Sequence, residues 1–324
     1  MFSGGRVASM QPCHERKIDL YCLGGASVDL VLEVPRLPLA GEKLLAHYYG
    51  QLPGGFIANT ACAAAKLGLR TAWAGSVGDD AFGHSIMRGF TKFGVRTDDV
   101  ELLKDAASDF TVVLVHPDGE RTILIVPSLP IPPALDEHIR CSLQNSRIGY
   151  TVLYDHDWFM EVADLLHGSG GKVAVDLELN TLRDREAASQ MLKAADYVFS
   201  DKNALRELTG NADENESVKE ILALGAELVI LTKGSEGAAA YTATGRYSTG
   251  SYQVPIKDTT GAGDCFHAAV LFGILSDFQY QDFLDFASAA AAILIQEMGA
   301  RQGLPTAVEV QKFMENHIRG DELK

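Results

Sequence analysis

Short apolar runs alternate with longer stretches of helical period along most of the chain. Ile18 to Leu23 reads as a buried strand, and Gly55 to Leu67 as a helix of small residues. Thr71 to Val77 is the next strand, followed by a helix from Asp80 to Phe93 that Gly94 stops. Gly149 to Tyr154, Lys172 to Asp176, Tyr197 to Phe199 and Leu228 to Leu231 are further apolar runs with helical stretches between them. This alternation predicts a parallel sheet with helices on both faces. The last third turns helical: Gly263 to Leu275, Tyr280 to Glu297 and Ala307 to His317.

Two regions break the pattern. Leu30 to Gln51 holds Pro35, Pro38 and Gly41, then the β-like Leu44 to Tyr49. Phe110 to Val126 reads as a hairpin, Thr111 to His116 and Arg121 to Val126 about the turn Pro117-Asp118-Gly119, whose Asp-Gly pair is a strong turn signal. Neither region has helices to partner it. Both, at about 30–51 and 110–126, are therefore assigned to a small β-sheet lid beside the main sheet. Residues 1–17 read as a flexible N-terminal extension and 18–324 as a single domain.

Charge narrows the partners. The formal net charge is −15 and no run of Lys and Arg stands out, which argues against nucleic-acid and membrane partners. An anionic ligand would need local backbone donors or a cation. The five cysteines (Cys13, Cys22, Cys62, Cys141, Cys265) are odd in number and contain no C-x-x-C pair, which argues against a disulfide framework or a zinc site. This cysteine usage fits a reducing, cytoplasmic location, and the longest apolar-rich stretch, Ala287 to Ile295, is too short to span a bilayer. Arg319-Gly320-Asp321 is read as a chance tripeptide.

Four segments carry candidate chemistry. Asp258-Thr-Thr-Gly-Ala-Gly-Asp264 leads into an apolar helix. A tight Gly-Ala-Gly turn at a helix start leaves backbone N–H groups pointing outward, and the helix dipole adds positive potential. Gly261, Ala262 and Gly263 can thus hold a transferring phosphoryl group, while Asp264 accepts a proton from the attacking hydroxyl. Taken alone, Gly-x-Gly-Asp fits a capped helix start equally well; the full heptapeptide favours function. In Pro53-Gly54-Gly55-Phe-Ile-Ala-Asn59, paired glycines let a substrate approach the backbone, and Asn59 offers a donor and an acceptor to hydroxyls. Asp29, just after the first strand, can accept from two vicinal hydroxyls. Leu231-Thr-Lys-Gly-Ser-Glu-Gly237 ends another strand, where Thr232, Gly234 and Gly237 suit a nucleotide passing close by. Each of these last three also fits an ordinary turn. No Walker A sequence and no G-x-G-x-x-G after a strand is found.

With these motifs in this order, the chain resembles the PfkB, or ribokinase-like, carbohydrate kinase family from about Lys17 to His317. The resemblance implies a Rossmann-like α/β/α sandwich whose β lid closes over a sugar, with ATP and Mg2+ required. It makes Asp264 the general base and Gly261 to Gly263 the anion hole. Asp29, Gly54, Gly55 and Asn59 would hold the substrate hydroxyls. Where members of the family use a potassium ion, the matching positions are Asp258 and the Thr260 carbonyl, with loop carbonyls between Gly299 and Gly303. The family's N-x-x-E motif, aligned on Leu208-Thr209-Gly210, is replaced by Asp201 and Ala204. Asp201 remains as a residue for Mg2+-associated water.

The acceptor is less defined. Phe199-Ser200 and Asp264-Cys-Phe-His267 look like sulfofructose kinases. Yet Asp157 stands where that subgroup's sulfonate-binding Arg is expected, and Ile125 replaces a polar lid residue. Lys43 or Arg121 could reach an anionic group from the lid. A neutral sugar, polyol or nucleoside is the preferred acceptor, Phe56 being compatible with a nucleoside base. A sensor that retained the fold and lost catalysis is the alternative of a different class. Open lid strands would also allow a homodimer.

Overall fold

The computed structural model describes residues 18–117, 121–179, 182 and 184–317. The expected N-terminal extension, the Asp118-Gly119 turn and Arg319-Gly320-Asp321 lie outside them. In chain order the elements are β1 (Ile18–Leu23), β2 (Ser27–Glu33), β3 (His47–Gly54), α1 (Phe56–Leu67), β4 (Thr71–Gly78), α2 (Ala81–Phe93), β5 (Val100–Leu103), β6 (Phe110–Val115), β7 (Arg121–Val126), α3 (Glu137–Gln144), β8 (Ser146–Val152) and α4 (His156–Gly168). Then follow β9 (Lys172–Leu177), α5 (Arg185–Leu192), β10 (Tyr197–Asp201), α6 (Lys202–Thr209), α7 (Glu214–Leu224), β11 (Leu228–Thr232), β12 (Ala238–Tyr241), β13 (Arg246–Thr249), α8 (Ala262–Leu275), α9 (Tyr280–Leu294) and α10 (Ala307–Asn316).

The main sheet runs β13-β12-β11-β10-β9-β8-β1-β4-β5. It is parallel from β11 to β5, with β12 and β13 antiparallel at one edge. Two apolar clusters cover its faces: one built with α1, α2, α8, α9 and α10, the other with α3 to α7. This is the expected α/β/α sandwich. β1 is buried throughout, as a strand covered on both faces must be. α8 is apolar almost all round and packs between α1 and α9, which explains why its residues from Cys265 to Leu271 are all buried. The chain leaves β1 toward β4 on one side and returns through β8 on the other. The crevice at the carboxyl ends of β1 and β8 is thus the switch point where open α/β sheets bind ligands.

The lid is a separate four-stranded sheet, β3-β2-β6-β7, entered from β1 and left into α1. Its strands begin and end differently from the expected segments. β2 starts at Ser27, so Asp29 lies inside a lid strand rather than in a loop. The strand expected at Leu44–Tyr49 is β3, His47–Gly54. Its early residues are exposed on both faces, so no alternation marks it; pairing such as Ser27 with Gly54 fixes its register. α9 ends at Leu294 rather than Glu297, and β5, α3 and the β12–β13 hairpin carry too few residues to announce themselves. Cys22, Cys62 and Cys265 are free and buried, but Cys141 is disulfide-bonded, against expectation. Spacing arguments exclude a framework, not a single bond between distant cysteines. Among the described residues no helix is long and apolar enough to cross a membrane.

Candidate active site

The turn before α8 forms as its glycines dictate. Gly261 is the N-cap in the left-handed region (φ 77°), with no side chain capping the helix, so the first-turn N–H groups of α8 are left for an anion. Ala262 N donates to Thr259 O (3.2 Å), closing the turn. Asp258 braces it: its carboxylate accepts from Thr260 N (2.7 Å) and from Gly299 N (2.8 Å), tying the turn to the loop after α9. The lid reaches the same point, because Arg121 at the start of β7 donates to the Asp258 carboxylate and to the Thr260 hydroxyl.

This turn is a wall between two cavities. Asp258 and Thr260 line one of about 480 Å³ under the lid; Thr259, Ala262 and Gly263 line one of about 370 Å³ on the other side. The expected nucleotide residues Thr232, Gly234 and Gly237 line the second cavity, with Tyr252, Phe266 and Ile295 as apolar walls. Asp29 and Gly55 line the first, as does Ile125. Asp29 accepts from the Thr111 hydroxyl (2.6 Å), and burial pushes its carboxyl up despite that bond. A Cβ on Gly54 would stand 2.1 Å from Asp29 Oδ1, so only glycine leaves this carboxylate in place.

Asp264 sits in the first turn of α8, where Asn59 Nδ2 donates to its Oδ2 (2.8 Å). Burial raises its pKa to about 6; the Asn59 bond and the charges of His267 and Arg301 offset part of that rise. Behind it lies a buried polar network. Tyr150 OH donates to Asp176 Oδ2 (2.8 Å) and meets His267 Nδ1 at 3.0 Å. Burial disfavours a charged His267, but Asp176 outweighs it and keeps the imidazole pKa raised. Glu178, at the end of β9, is pushed up to about 7 by burial and then by Asp176 and Asp264.

Three expected roles change. Lys43 is exposed on the β2–β3 loop and is not among the residues lining the lid-side cavity. Asn59 is buried, one amide N–H donating to Asp264 and its oxygen accepting from Arg301, and it is not among the residues lining the lid-side cavity, so the structure gives it no contact with that space. Asp258 already accepts three protein donors, one cationic, an arrangement that does not fit the expected potassium ion. Asp201 caps α6 through Ala204 N (2.7 Å) and lies beside Thr232 in the sheet. Sequence reasoning missed Arg301 and the Tyr150–Asp176–His267 network. Tertiary packing brings Arg301, Tyr150 and Asp176 to this region with no local spacing to signal them, whereas His267 lies three residues after Asp264 on α8, a spacing the sequence does show.

Comparison with known proteins identifies the family and the fold. The pfkB family carbohydrate kinase profile matches residues 17–307. Ribokinase of Bacillus subtilis (strain 168) is 30% identical over 301 residues, covering 90% of this chain and 98% of its own. An ATP-dependent ribose-1-phosphate kinase of Halopiger xanaduensis is 31% identical over 294 residues, covering 90% of this chain and 96% of its own. The structure of Arabidopsis thaliana ribokinase complexed with ribose and ATP superimposes with a TM-score of 0.83 at 26% identity, over 93% of this chain and 99% of that one. With the family profile spanning nearly the whole described chain, and the fold in agreement with it, the chain belongs to the pfkB family and is an ATP-dependent carbohydrate kinase.

Proposed function

We propose that the acceptor is an uncharged polyol bound under the lid, and that Asp264 takes the proton from its attacking hydroxyl. The observation that carries this is the composition of the lid-side cavity. Its carboxylates are Asp29, Asp109 and Asp258, while its two cations are already paired, Arg121 with Asp258 and Lys257 with Glu297 (3.0 Å). Among the described residues, a phosphorylated or sulfonated sugar would meet two carboxylates not paired with a cation, Asp29 and Asp109, and no free cation. Nucleotide binds across the turn, where the bare α8 N-terminus stabilises charge on the transferring group. Mg2+ needs only one or two carboxylates beside nucleotide oxygens and water. Asp201, next to Thr232, supports that role although it also caps α6.

A second reading is favoured by one feature. The remaining lining is strongly apolar, with Val31, Phe56, Phe110, Val113, Ile123 and Ile131 around a space large enough for a ligand well beyond a pentose, since pockets for drug-sized ligands begin at about 300 Å³. This suits a nucleoside. ADP release with ribose, fructose, ribose phosphate and adenosine separates the readings. Turnover with neutral acceptors and none with the phosphorylated sugar supports the proposal, and a preference for adenosine marks the nucleoside. Binding without ADP release on any acceptor would return the chain to the sensor alternative.

The Arg121 contacts make a further expectation. Activity should be unchanged when potassium is replaced by choline. Arg121→Gln should lower turnover by roughly 10-fold or more, since it leaves a buried carboxylate without its cation, and potassium should partly restore it. A wild-type enzyme that is silent without potassium would contradict this reading. On the lid's outer face Leu124 is half exposed in one chain, which supports the expected pairing of lids between two copies.

A further inference from the structure

We infer that Arg301 is a positioning residue for catalysis: it sets the orientation of the Asn59 amide and, through it, the charge state and direction of the Asp264 carboxylate. This rests on Asp264 being the base.

Arg301 lies in the loop after α9 and is 3% exposed, an unusual burial for a cation. Its head group touches three elements. Nε donates to Asn59 Oδ1 (2.7 Å) on α1, Nη2 donates to Gly54 O (2.8 Å) at the inner end of lid strand β3, and the guanidinium lies 5.7 Å from the Phe90 ring on α2. Among the described residues no carboxylate is bound to it directly, so an ion pair with one of them does not explain its burial.

The consequence follows from donor and acceptor chemistry. A guanidinium has donors only. The Asn59 atom facing it must therefore be the amide oxygen, and the amide nitrogen is then turned to Asp264 Oδ2 (2.8 Å). Without Arg301 the amide is free to rotate by half a turn and face the carboxylate with its oxygen. That arrangement is tolerated only when Asp264 is protonated, the state in which it cannot act as a base. The positive charge of Arg301 acts in the same sense, favouring the carboxylate against a burial that disfavours it. Because Arg301 also holds the Gly54 carbonyl, the end of the lid strand and the base share one anchor.

Three variants separate orientation from charge. Arg301→Met removes both, Arg301→Gln keeps a donor and loses the charge, and Arg301→Lys keeps the charge. Two readouts are needed: the pH dependence of kcat and KM with the acceptor found above, and the pH titration of the Asn59 side-chain amide by 15N NMR, which needs no turnover. In the wild type both should report a midpoint near 6. Arg301→Met should lower kcat by roughly 10- to 100-fold, the scale of a slight misplacement of a reacting group, with KM for ATP within about twofold. Its midpoint should move up by at least ~0.5 pH unit. Arg301→Gln should show the upward shift with a smaller loss of kcat, and Arg301→Lys should restore the midpoint. If Arg301→Met does not fold, the Gln and Lys pair decides alone. An unchanged midpoint in Arg301→Gln, or a loss of activity that tracks melting temperature across all three, overturns the inference. If no acceptor is ever turned over, the NMR titration still tests Arg301 while the base assignment fails separately.

Discussion

Replacing Asp264 by asparagine is expected to cut turnover by roughly 10²–10⁴-fold, the usual scale for loss of a general base, while making the protein more stable at neutral pH. The first half follows from the position of the carboxylate at the start of α8, beside the turn that divides the two cavities. The second half follows from its titration. Folding carries the carboxyl from 3.8 to about 6, mainly by burial. The folded state therefore holds a proton that the unfolded state has released between those values, and stability falls as pH rises through that window. Above it the ionised side chain costs roughly 3 kcal/mol. Asparagine keeps an acceptor for Asn59 Nδ2 and removes the charge, so the variant should melt at a higher temperature than the wild type at pH 7 to 8 and at nearly the same temperature below pH 4. Wild-type activity should rise as pH passes through about 6. Near-normal turnover in the variant, or a lower melting temperature at pH 8, would refute the assignment.

A methyl group on Gly261 should do comparable damage by a different route. Gly261 has φ 77°, and a Cβ there would stand 2.7 Å from Ala300 Cβ and 2.8 Å from Ala300 Cα. Neither neighbour can swing aside, because Ala300 belongs to the loop that Asp258 ties to the turn through Gly299. The backbone must open. Strain of this kind costs about 1–3 kcal/mol, and displacing the α8 N–H groups by an ångström costs on the order of 10²-fold in rate. Gly263 makes the control. A Cβ there meets nothing within 4 Å, and the residue faces the nucleotide cavity. Gly263→Ala should therefore keep wild-type stability and raise the KM for ATP. Equal melting temperatures and rates for Gly261→Ala and wild type would remove the turn from the mechanism.

How much of this was legible in the sequence depended on distance along the chain. The turn and Asp264 occupy seven adjacent residues, and a glycine turn before an apolar helix is a local signal, so the turn was read directly. The diglycine before α1 was read for the same reason. Asp29 was expected at the site and lines the lid-side cavity, but its strand was not foreseen, because that strand is defined by pairing with β3 and β6. The partners of the motif residues were the least visible. Arg301 lies 242 positions from Asn59, and Arg121 lies 137 from Asp258. Nothing near either arginine sets it apart from a solvated surface cation. Asn59 was misread for that reason: its two hydrogen-bonding groups suit hydroxyls until the buried arginine that claims one of them is seen.

The lid shares no strand with the main sheet. One consequence concerns descent rather than catalysis. On the proposed assignment, much of the acceptor's outline is set by side chains of a small sheet whose own pairing holds it together, while the turn from Asp258 to Asp264 lies outside both sheets, at the start of α8. Mutations in Val31, Val113 or Ile123 can redraw the acceptor's outline without disturbing a residue between Asp258 and Asp264. Such an arrangement lets a lineage exchange one substrate for another while inheriting the phosphoryl-transfer apparatus unaltered.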